Sequence, residues 1–315
     1  MIRARITGTG SYAPERVMTN VDLEKLVATS DEWIRERTGI RERRIAAEGQ
    51  ACSDLGLIAA ERALKAAGVS AGELDMILLA TCTGDMPLPS TACLLQHRLG
   101  AIRAAACDVS AACCGFVYAL GVADAYIRTG MRHVLVVGSE VMSTITDWTD
   151  RNPCILFGDG AGAAVVSASE GERGVLSTHL HSDGSLSDLI VVPGGGTRIP
   201  PSEAMVSERS QYIKMKGNET FKVAVRTLEE VARETLAAHQ LSVEDLDLYI
   251  PHQANLRIIK AVADRLKLPL EKVILNMDRY GNTSAASIPI ALDEAVRTAE
   301  ENHSIIRHST HCTQT

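Results

Sequence analysis

The stretch Asp108-Val-Ser-Ala-Ala-Cys-Cys-Gly-Phe-Val-Tyr-Ala-Leu120 decides how the rest of the chain is read. Its pattern is that of a strand end, a turn of small residues and the first turns of a helix. A thiol works as a nucleophile only as its thiolate, so it needs a lowered pKa and a donor for the oxyanion it creates, and a helix N-terminus supplies both. Cys113 stands at that point. Ser110, Ala111 and Ala112 before it and Gly115 after it leave room for a carbonyl to approach the sulfur and the backbone amides. Taken alone, a cysteine in such a run is as readily an inert core residue, because free cysteines are among the most buried residue types. Partners elsewhere have to decide.

Working outward, the order around this stretch occurs twice. Val69-Ser-Ala-Gly-Glu-Leu-Asp-Met-Ile-Leu-Leu-Ala matches Leu241-Ser-Val-Glu-Asp-Leu-Asp-Leu-Tyr-Ile-Pro-His, each after a helical pattern ending Ala-Ala. Downstream, Cys107-Asp-Val-Ser-Ala-Ala-Cys matches Asn276-Met-Asp-Arg-Tyr-Gly-Asn-Thr-Ser. The chain therefore reads as two copies of one α/β unit. Their seam is expected in the polar stretch 170–174, giving halves 1–172 and 173–315 that share a core. Strands are expected at 4–9, 76–82, 134–138, 163–167 and 246–250. Helices are expected at 21–28 with Asn20 as N-cap, at a second segment capped by Thr29 or Ser30, and at 53–67 closed by Gly68. Alternating strands and helices predict an α/β fold of mainly parallel sheets covered by helices.

A chain of 315 residues, 46% hydrophobic and 23% charged, is ordinary globular composition. Its net charge of −7, from 32 basic and 39 acidic residues, argues against a general nucleic-acid or membrane-surface binder. The eight cysteines form no C-x-x-C pair, and the start Met-Ile-Arg-Ala-Arg-Ile-Thr-Gly lacks a signal-peptide run. A reducing cytoplasm is expected. Apolar runs such as 76–80 and 134–137 fall well below the ~20 residues of a membrane helix.

Two further turns carry chemistry. His252, in Pro251-His-Gln-Ala-Asn-Leu-Arg, follows an apolar run, and Asn282 stands at the tip of Asp278-Arg-Tyr-Gly-Asn-Thr-Ser-Ala-Ala-Ser. Singly, such a histidine is usually a structural hydrogen-bonder and such an asparagine a turn residue. Three elbow-like turns bearing Cys, His and Asn at equivalent places of a duplication are not readily accidental. Trp33 sits beside Arg35, Arg37, Arg41, Arg43 and Arg44, a face able to stack an adenine and pair phosphates, or simply a solvated charged face over a core tryptophan. Gly158-Asp-Gly-Ala-Gly lacks the spacing of a dinucleotide fingerprint and reads as a close-packed turn.

Across nearly its whole length the sequence resembles the thiolase-fold condensing enzymes, most closely the β-ketoacyl-ACP synthase III family. The matching motifs are Thr29-Ser-Asp-Glu-Trp-Ile, Arg37-Thr-Gly-Ile-Arg-Glu-Arg, Asp108-Val-Ser-Ala-Ala-Cys, Phe157-Gly-Asp-Gly-Ala-Gly-Ala, Pro251-His-Gln-Ala-Asn-Leu-Arg and Gly281-Asn-Thr-Ser-Ala-Ala-Ser. The resemblance implies a thiolase-like duplicated αβαβα layered fold and decarboxylative condensation of an acyl-CoA primer with malonyl-ACP, without a cofactor or metal. It gives Cys113 the nucleophile position and His252 and Asn282 the two other catalytic positions; Cys114 falls where the family usually has a small residue. It places Trp33 against the CoA adenine, Arg37 and Arg151 near its phosphates, Thr29, Gly217, Asn218 and Ala254 along the pantetheine, and Phe221 beside the nucleophile. Lys222, Arg257, Lys260, Arg265 and Lys267 read either as a basic landing surface for the acidic carrier protein or as a solvated helix face. Leu88, in Met86-Pro-Leu-Pro, takes the position from which a dimer partner closes the acyl pocket, which implies a homodimer.

The resemblance fails after Arg297. Where the family continues with apolar strands around a Gly-rich turn that lends an oxyanion-hole amide, this chain runs Glu301-Asn-His-Ser-Ile-Ile-Arg-His-Ser-Thr-His-Cys-Thr-Gln-Thr315. That polar segment reads as a truncated or frame-shifted end, with lost strands and an incomplete oxyanion hole as expected consequences; His308, His311 and Cys312 are a weak metal-ligand pattern. Other readings are a CoA-dependent acyltransferase or ketosynthase of secondary metabolism, a Cys-His-Asn hydrolase, and a catalytically impaired CoA-binding dimer.

Overall fold

The computed structural model describes residues 2–301, so the tail with His308, His311 and Cys312 lies outside the described residues. In chain order the elements are β1 (Ile2–Tyr12), β2 (Arg16–Thr19), α1 (Asn20–Glu24), α2 (Asp31–Thr38), β3 (Glu42–Ile45), α3 (Cys52–Ala67), β4 (Met76–Ala80), α4 (Thr91–Leu99) and β5 (Ala105–Val109). There follow α5 (Gly115–Arg128), β6 (His133–Glu140), α6 (Arg151–Cys154), β7 (Gly160–Glu170), β8 (Ile190–Val191), α7 (Glu203–Ser207) and β9 (Lys214–Met215). The last helices are α8 (Gly217–Ala238), α9 (Leu256–Leu266), α10 (Met277–Tyr280) and α11 (Ser287–Glu301).

The central sheet has the order β1-β7-β6-β4-β5. β4 runs parallel to both β5 and β6, while β7 is antiparallel to β6 and β1. Four strands thus share one direction, and β7 opposes them. Side chains alternate across a strand, so the apolar runs of β4 and β6 feed two cores. Ile77, Leu79, Leu135 and Val137 pack with Leu55, Ala59 and Ala63 of α3 on one face. Met76, Leu78, Val134 and Val136 pack on the other with Phe116, Val117 and Leu120 of α5 and Ile288 and Leu292 of α11. A third core joins Leu23, Ile34 and Ile40 to Leu228, Leu236, Ile259 and Leu266, tying the first forty residues to α8 and α9. Residues far apart in the chain therefore share packing.

Several local expectations are corrected. Thr19, not Asn20, caps α1, because its hydroxyl and the Asp22 carboxylate form a reciprocal capping box; Asn20 is buried and α1 ends at Glu24. Of the two caps expected for α2, Ser30 is the one used. The strand expected at 246–250 is a single bridge, Tyr249 to Val273. An isolated pair has little stability without further neighbours, and among the described residues no other bridge at 246–250 is formed. Gly158-Asp-Gly-Ala-Gly is not all turn, since β7 begins at Gly160.

Candidate active site

One large cavity, about 1120 Å³, brings together residues from distant parts of the chain. Cys113, His252 and Asn282 all line it. Cys113 lies in a short 3-10 turn, Ala112–Cys114, between the end of β5 and the start of α5. Ala112 has φ 45°, left-handed backbone that is unfavourable for a residue with a Cβ. This bend swings the strand end into the helix and aims the thiol at the cavity. Ser284 has the matching conformation, φ 49°, in the 3-10 turn Ser284–Ala286 that leads into α11. The turn can press against β6 because position 138 is glycine: a Cβ there would lie 2.3 Å from the Ala285 carbonyl oxygen.

Asn282 is buried and held through its backbone, with its N–H donating to the Leu156 carbonyl at 2.8 Å and its carbonyl accepting from Gly158 N–H at 3.1 Å. Its Oδ1 accepts from the Ser284 N–H at 2.9 Å, so its Nδ2 is the side-chain donor directed by that bond away from its own turn. Gly281, before it, has φ 68° and ψ −162°, a region essentially closed to other residues. Behind this loop the fully buried Arg43 donates to Asn20 Oδ1 and the Ile155 carbonyl, each at 2.9 Å. Burial lowers its pKa to about 10. Arg43 is therefore a structural clamp and no part of a phosphate-facing surface.

The His252 ring is fixed from one side. Ser287 Oγ lies 2.6 Å from Nδ1, and the same oxygen is 3.4 Å from the Gln253 N–H. With Gln253 donating to that oxygen, the serine proton is free for Nδ1, which leaves Nε2 as the protonated nitrogen. Gln253 ties the loop down, donating to the Pro251 and Ile274 carbonyls and accepting from Asn276 N–H. Burial pushes the His252 pKa down to about 4, so the ring is neutral at ordinary pH.

The thiol differs from expectation. Burial pushes the Cys113 pKa up to about 11; the Ser284 hydroxyl and its own backbone pull down, and Glu140 pushes up further. At Cys113 desolvation outweighs the helix N-terminus. Glu140, at the end of β6, is 0% exposed, and its carboxylate accepts from Thr83 Oγ1 at 2.5 Å, Thr81 Oγ1 at 3.1 Å and the Cys82 N–H at 3.1 Å. Cys82 lines the same cavity, its thiol 3.3 Å from Glu140 Oε1. Sequence reading missed Glu140, Cys82, Ser284 and Ser287. Both serines lie inside the quoted Gly281-Asn-Thr-Ser-Ala-Ala-Ser motif, and the carboxylate closing an apolar strand was the available signal for Glu140.

Of the expected CoA-contacting residues, Trp33, Arg37, Gly217, Asn218, Phe221 and Ala254 line the cavity. Arg37 and Arg151 both stand over the Trp33 ring, at 4.8 Å and 4.7 Å from its centre, and Arg151 also donates to the Ala28 carbonyl. In this state they cover the aromatic face. Thr29 does not line the cavity, and its hydroxyl is buried without a partner. Lys222 and Arg257 lie at the rim, Arg257 5.6 Å from the Phe221 ring, with Lys260 exposed on α9 beyond it. Arg265 is committed to Glu229 at 3.0 Å. Leu88 is 85% exposed and does not line the cavity. Among the described residues no group of His, Cys, Asp or Glu is placed to hold a metal, and no helix is long and apolar enough to cross a membrane.

A thiol on a strand-to-helix elbow that shares one cavity with an imidazole and a carboxamide from distant parts of an α/β chain fits a thiolase-fold condensing enzyme. Residues 107–184 match the family model for 3-oxoacyl-[acyl-carrier-protein (ACP)] synthase III, and residues 236–306 match the model for its C-terminal part. The chain is 57% identical over 300 residues to a β-ketoacyl-[acyl-carrier-protein] synthase III of Alkalilimnicola ehrlichii, covering 94% of this chain and 91% of that one. The corresponding protein of Xanthomonas campestris is 56% identical over 297 residues, with 94% and 90% covered. The crystal structure of 3-oxoacyl-[acyl-carrier-protein] synthase III from Aquifex aeolicus superposes with a TM-score of 0.87 at 50% identity, covering 94% of this chain and 92% of that one. The chain belongs to the β-ketoacyl-ACP synthase III family.

Proposed function

We propose that this chain joins an acyl-CoA primer, acetyl-CoA or similar, to malonyl-ACP, giving 3-ketoacyl-ACP, CoA and CO₂ and so starting fatty-acid synthesis. The observation that carries the reading is the convergence of Cys113, His252 and Asn282 on one cavity in a chain of this family. Cys113 attacks the primer thioester and CoA leaves. Malonyl-ACP then occupies the vacated cavity. His252 Nε2–H and Asn282 Nδ2 donate to its thioester oxygen, which stabilises the enolate formed as CO₂ departs, and the carbanion attacks the acyl-cysteine. A neutral imidazole suits this role, because it donates a hydrogen bond without needing to lose a charge. The identity to synthases III of two genera favours this over a CoA-only enzyme of secondary metabolism.

For CoA, Trp33 is read as the adenine platform, reached when Arg37 or Arg151 swings from the ring to the phosphates, with Gly217, Asn218, Phe221 and Ala254 along the pantetheine. Lys222, Arg257 and Lys260 at the rim form the landing surface for the carrier protein. We read the chain as two thiolase-like halves meeting near residue 172, supported by the end of β7 at Glu170 and by the paired left-handed elbows at Ala112 and Ser284. A homodimer in the cytoplasm completes the proposal, with Leu88 of each copy reaching the other's acyl pocket; β5 at the sheet edge and the exposed Leu88 loop support that pairing. No cofactor is required, since both substrates are thioesters.

The test is intact mass after incubation with acetyl-CoA, beside Cys113→Ala, followed by malonyl-ACP. One acetyl adduct that needs Cys113 and is discharged as acetoacetyl-ACP is the expected result. An adduct that persists with malonyl-ACP present would overturn the condensation step, and no adduct would overturn the whole reading.

A further inference from the structure

The segment between the His252 and Asn282 turns is gripped by a carboxylate that the chemistry above does not use. Glu294, on α11, accepts at both oxygens: Oε1 from Arg279 Nη1 at 2.9 Å and the Tyr280 hydroxyl at 2.6 Å, Oε2 from Arg279 Nη2 and Asn276 Nδ2, each at 2.9 Å. A carboxylate has about four lone-pair sites, and all are taken. The guanidinium meets it as a fork, which fixes orientation as well as distance. Among the described residues, every hydrogen-bond partner of Glu294 belongs to α10 or to Asn276, its N-cap. Arg279 is 48% exposed, so the ion pair by itself adds little stability, and its value lies in orientation.

α10 joins the two turns. At one end Asn276, 2% exposed, donates its N–H to Gln253 Oε1 at 3.0 Å, and Gln253 follows His252 in the chain. At the other end Tyr280 leads through Gly281 to Asn282. α11 reaches the same pair again. Ser287 Oγ lies 2.6 Å from His252 Nδ1, and Ser284, in the turn that feeds the helix, donates its N–H to Asn282 Oδ1 at 2.9 Å. Ser287 and Glu294 stand seven residues apart on α11, a spacing about 20° short of two full turns, so they share one face about 10 Å apart. The helix is itself anchored to β1, where Asp293 accepts from Thr9 Oγ1 at 2.8 Å and Ser11 Oγ at 2.7 Å. One helix thus holds both turns in a common frame.

We propose that Glu294 is a positioning residue for the condensation step: by holding α10 it sets the place of Asn282 Nδ2 relative to His252 Nε2. This rests on the proposed function, in which the two groups donate to one thioester oxygen. Two donors converge on one oxygen only where their separation is held, and a misplacement of about 1 Å costs up to about 10²-fold. The bonds to Leu156 and Gly158 fix Asn282 from one side; α10 fixes the chain that enters it. Acylation of Cys113 uses none of this network.

The experiment separates the half-reactions by single turnover in the unaltered protein, Glu294→Gln, Asn282→Ala and the double variant. The CoA burst from acetyl-CoA reads acylation, and discharge of the preformed acetyl-enzyme by malonyl-ACP reads condensation. Glu294→Gln turns one acceptor oxygen into a donor that faces the N–H groups of Arg279. The expected result is an unchanged burst, an unchanged half-saturating malonyl-ACP concentration and a maximal discharge about 10-fold slower. In the Asn282→Ala background the same substitution should cost less than about 2-fold, because the group it positions is gone. Equal slowing of burst and discharge, the full loss in both backgrounds, or an unchanged discharge would each overturn the positioning role while leaving the proposed function standing. No discharge in the unaltered protein would overturn both. Should Glu294→Gln fail to fold, Tyr280→Phe, which withdraws one donor, goes through the same comparison: a smaller slowing confined to discharge is expected, and an unchanged discharge would overturn the proposal.

Discussion

Ser287 Oγ lies 2.6 Å from Nδ1 of His252, the two residues being 35 apart in sequence. The serine opens α11 and the histidine lies in the loop between Tyr249 and α9, so the orientation of the imidazole is set by a helix distant in the chain. Ser287→Ala should leave acylation of Cys113 intact and slow malonyl decarboxylation, because the ring loses the contact that fixes its protonated nitrogen. A loss of about 10-fold is expected. Measuring the CoA burst and CO₂ release separately checks it; equal slowing of both would sink the idea.

The low pKa of His252 makes a pH prediction with a definite sign. With its pKa near 4 when folded against 6.5 as the ordinary value, the ring stays uncharged in the native protein while the unfolded chain takes up a proton. The unfolded state binds more protons across that interval, so this residue's share of stability is lost as pH falls from 6.5 toward 4. The same shift predicts no inflection near 6.5 from this group in the condensation rate. Denaturation midpoints and rates across that range test both; His252→Gln should flatten the first.

Cys113 should alkylate slowly near neutrality. Its thiol, raised to about 11 from 9.0 by burial, exposes little thiolate there. Modification by iodoacetamide, located by peptide mass so that Cys82 and Cys114 are told apart, should rise with pH past 9.0 without a plateau. A plateau at or below neutrality would show that the helix terminus dominates after all.

Gly281→Ala is expected to destabilise the fold by about 2 kcal/mol or more. The added Cβ would lie 2.7 Å from the Leu156 carbonyl oxygen, on backbone with φ 68°. Since Leu156 also holds the Asn282 N–H, condensation should fall more than acylation. Chemical denaturation gives the first quantity and burst kinetics the second.

Trp33→Ala should raise the half-saturating acyl-CoA concentration about 10-fold, an ordinary magnitude for loss of one stacked base. The maximal acylation rate should change little, since the ring is remote in sequence and role from the sulfur. Arg151→Ala separates the two functions of that arginine: it uncovers the ring but removes a cation.

Sequence alone reached the architecture because the features that carry it are local and periodic. The all-buried β4, the apolar run of β6, and Gly68 with φ 65° at the end of α3 are each legible in a short window. So are the motifs that carry Cys113, His252 and Asn282, three residues that line one cavity. The misreadings come from competition among neighbours. Thr19 caps α1 because Asp22 can reciprocate, while Asn20 turns inward to bond Ile40 and Arg43.

What sequence could not determine is what depends on three-dimensional neighbourhood. Desolvation scales with everything packed around a group, so neither the raised thiol of Cys113 nor the lowered His252 can be read from flanking residues. Arg43 looks like one more surface cation in a basic cluster, and only packing makes it a buried clamp behind the Asn282 loop. The turn Ser284–Ala286 settles against β6, more than a hundred residues away in the chain, because position 138 is glycine and leaves room for the Ala285 carbonyl. Motifs in the chain marked the candidate groups, and long-range packing set their protonation and orientation, because electrostatic environment is a property of the assembled neighbourhood and not of the segment that carries the residue.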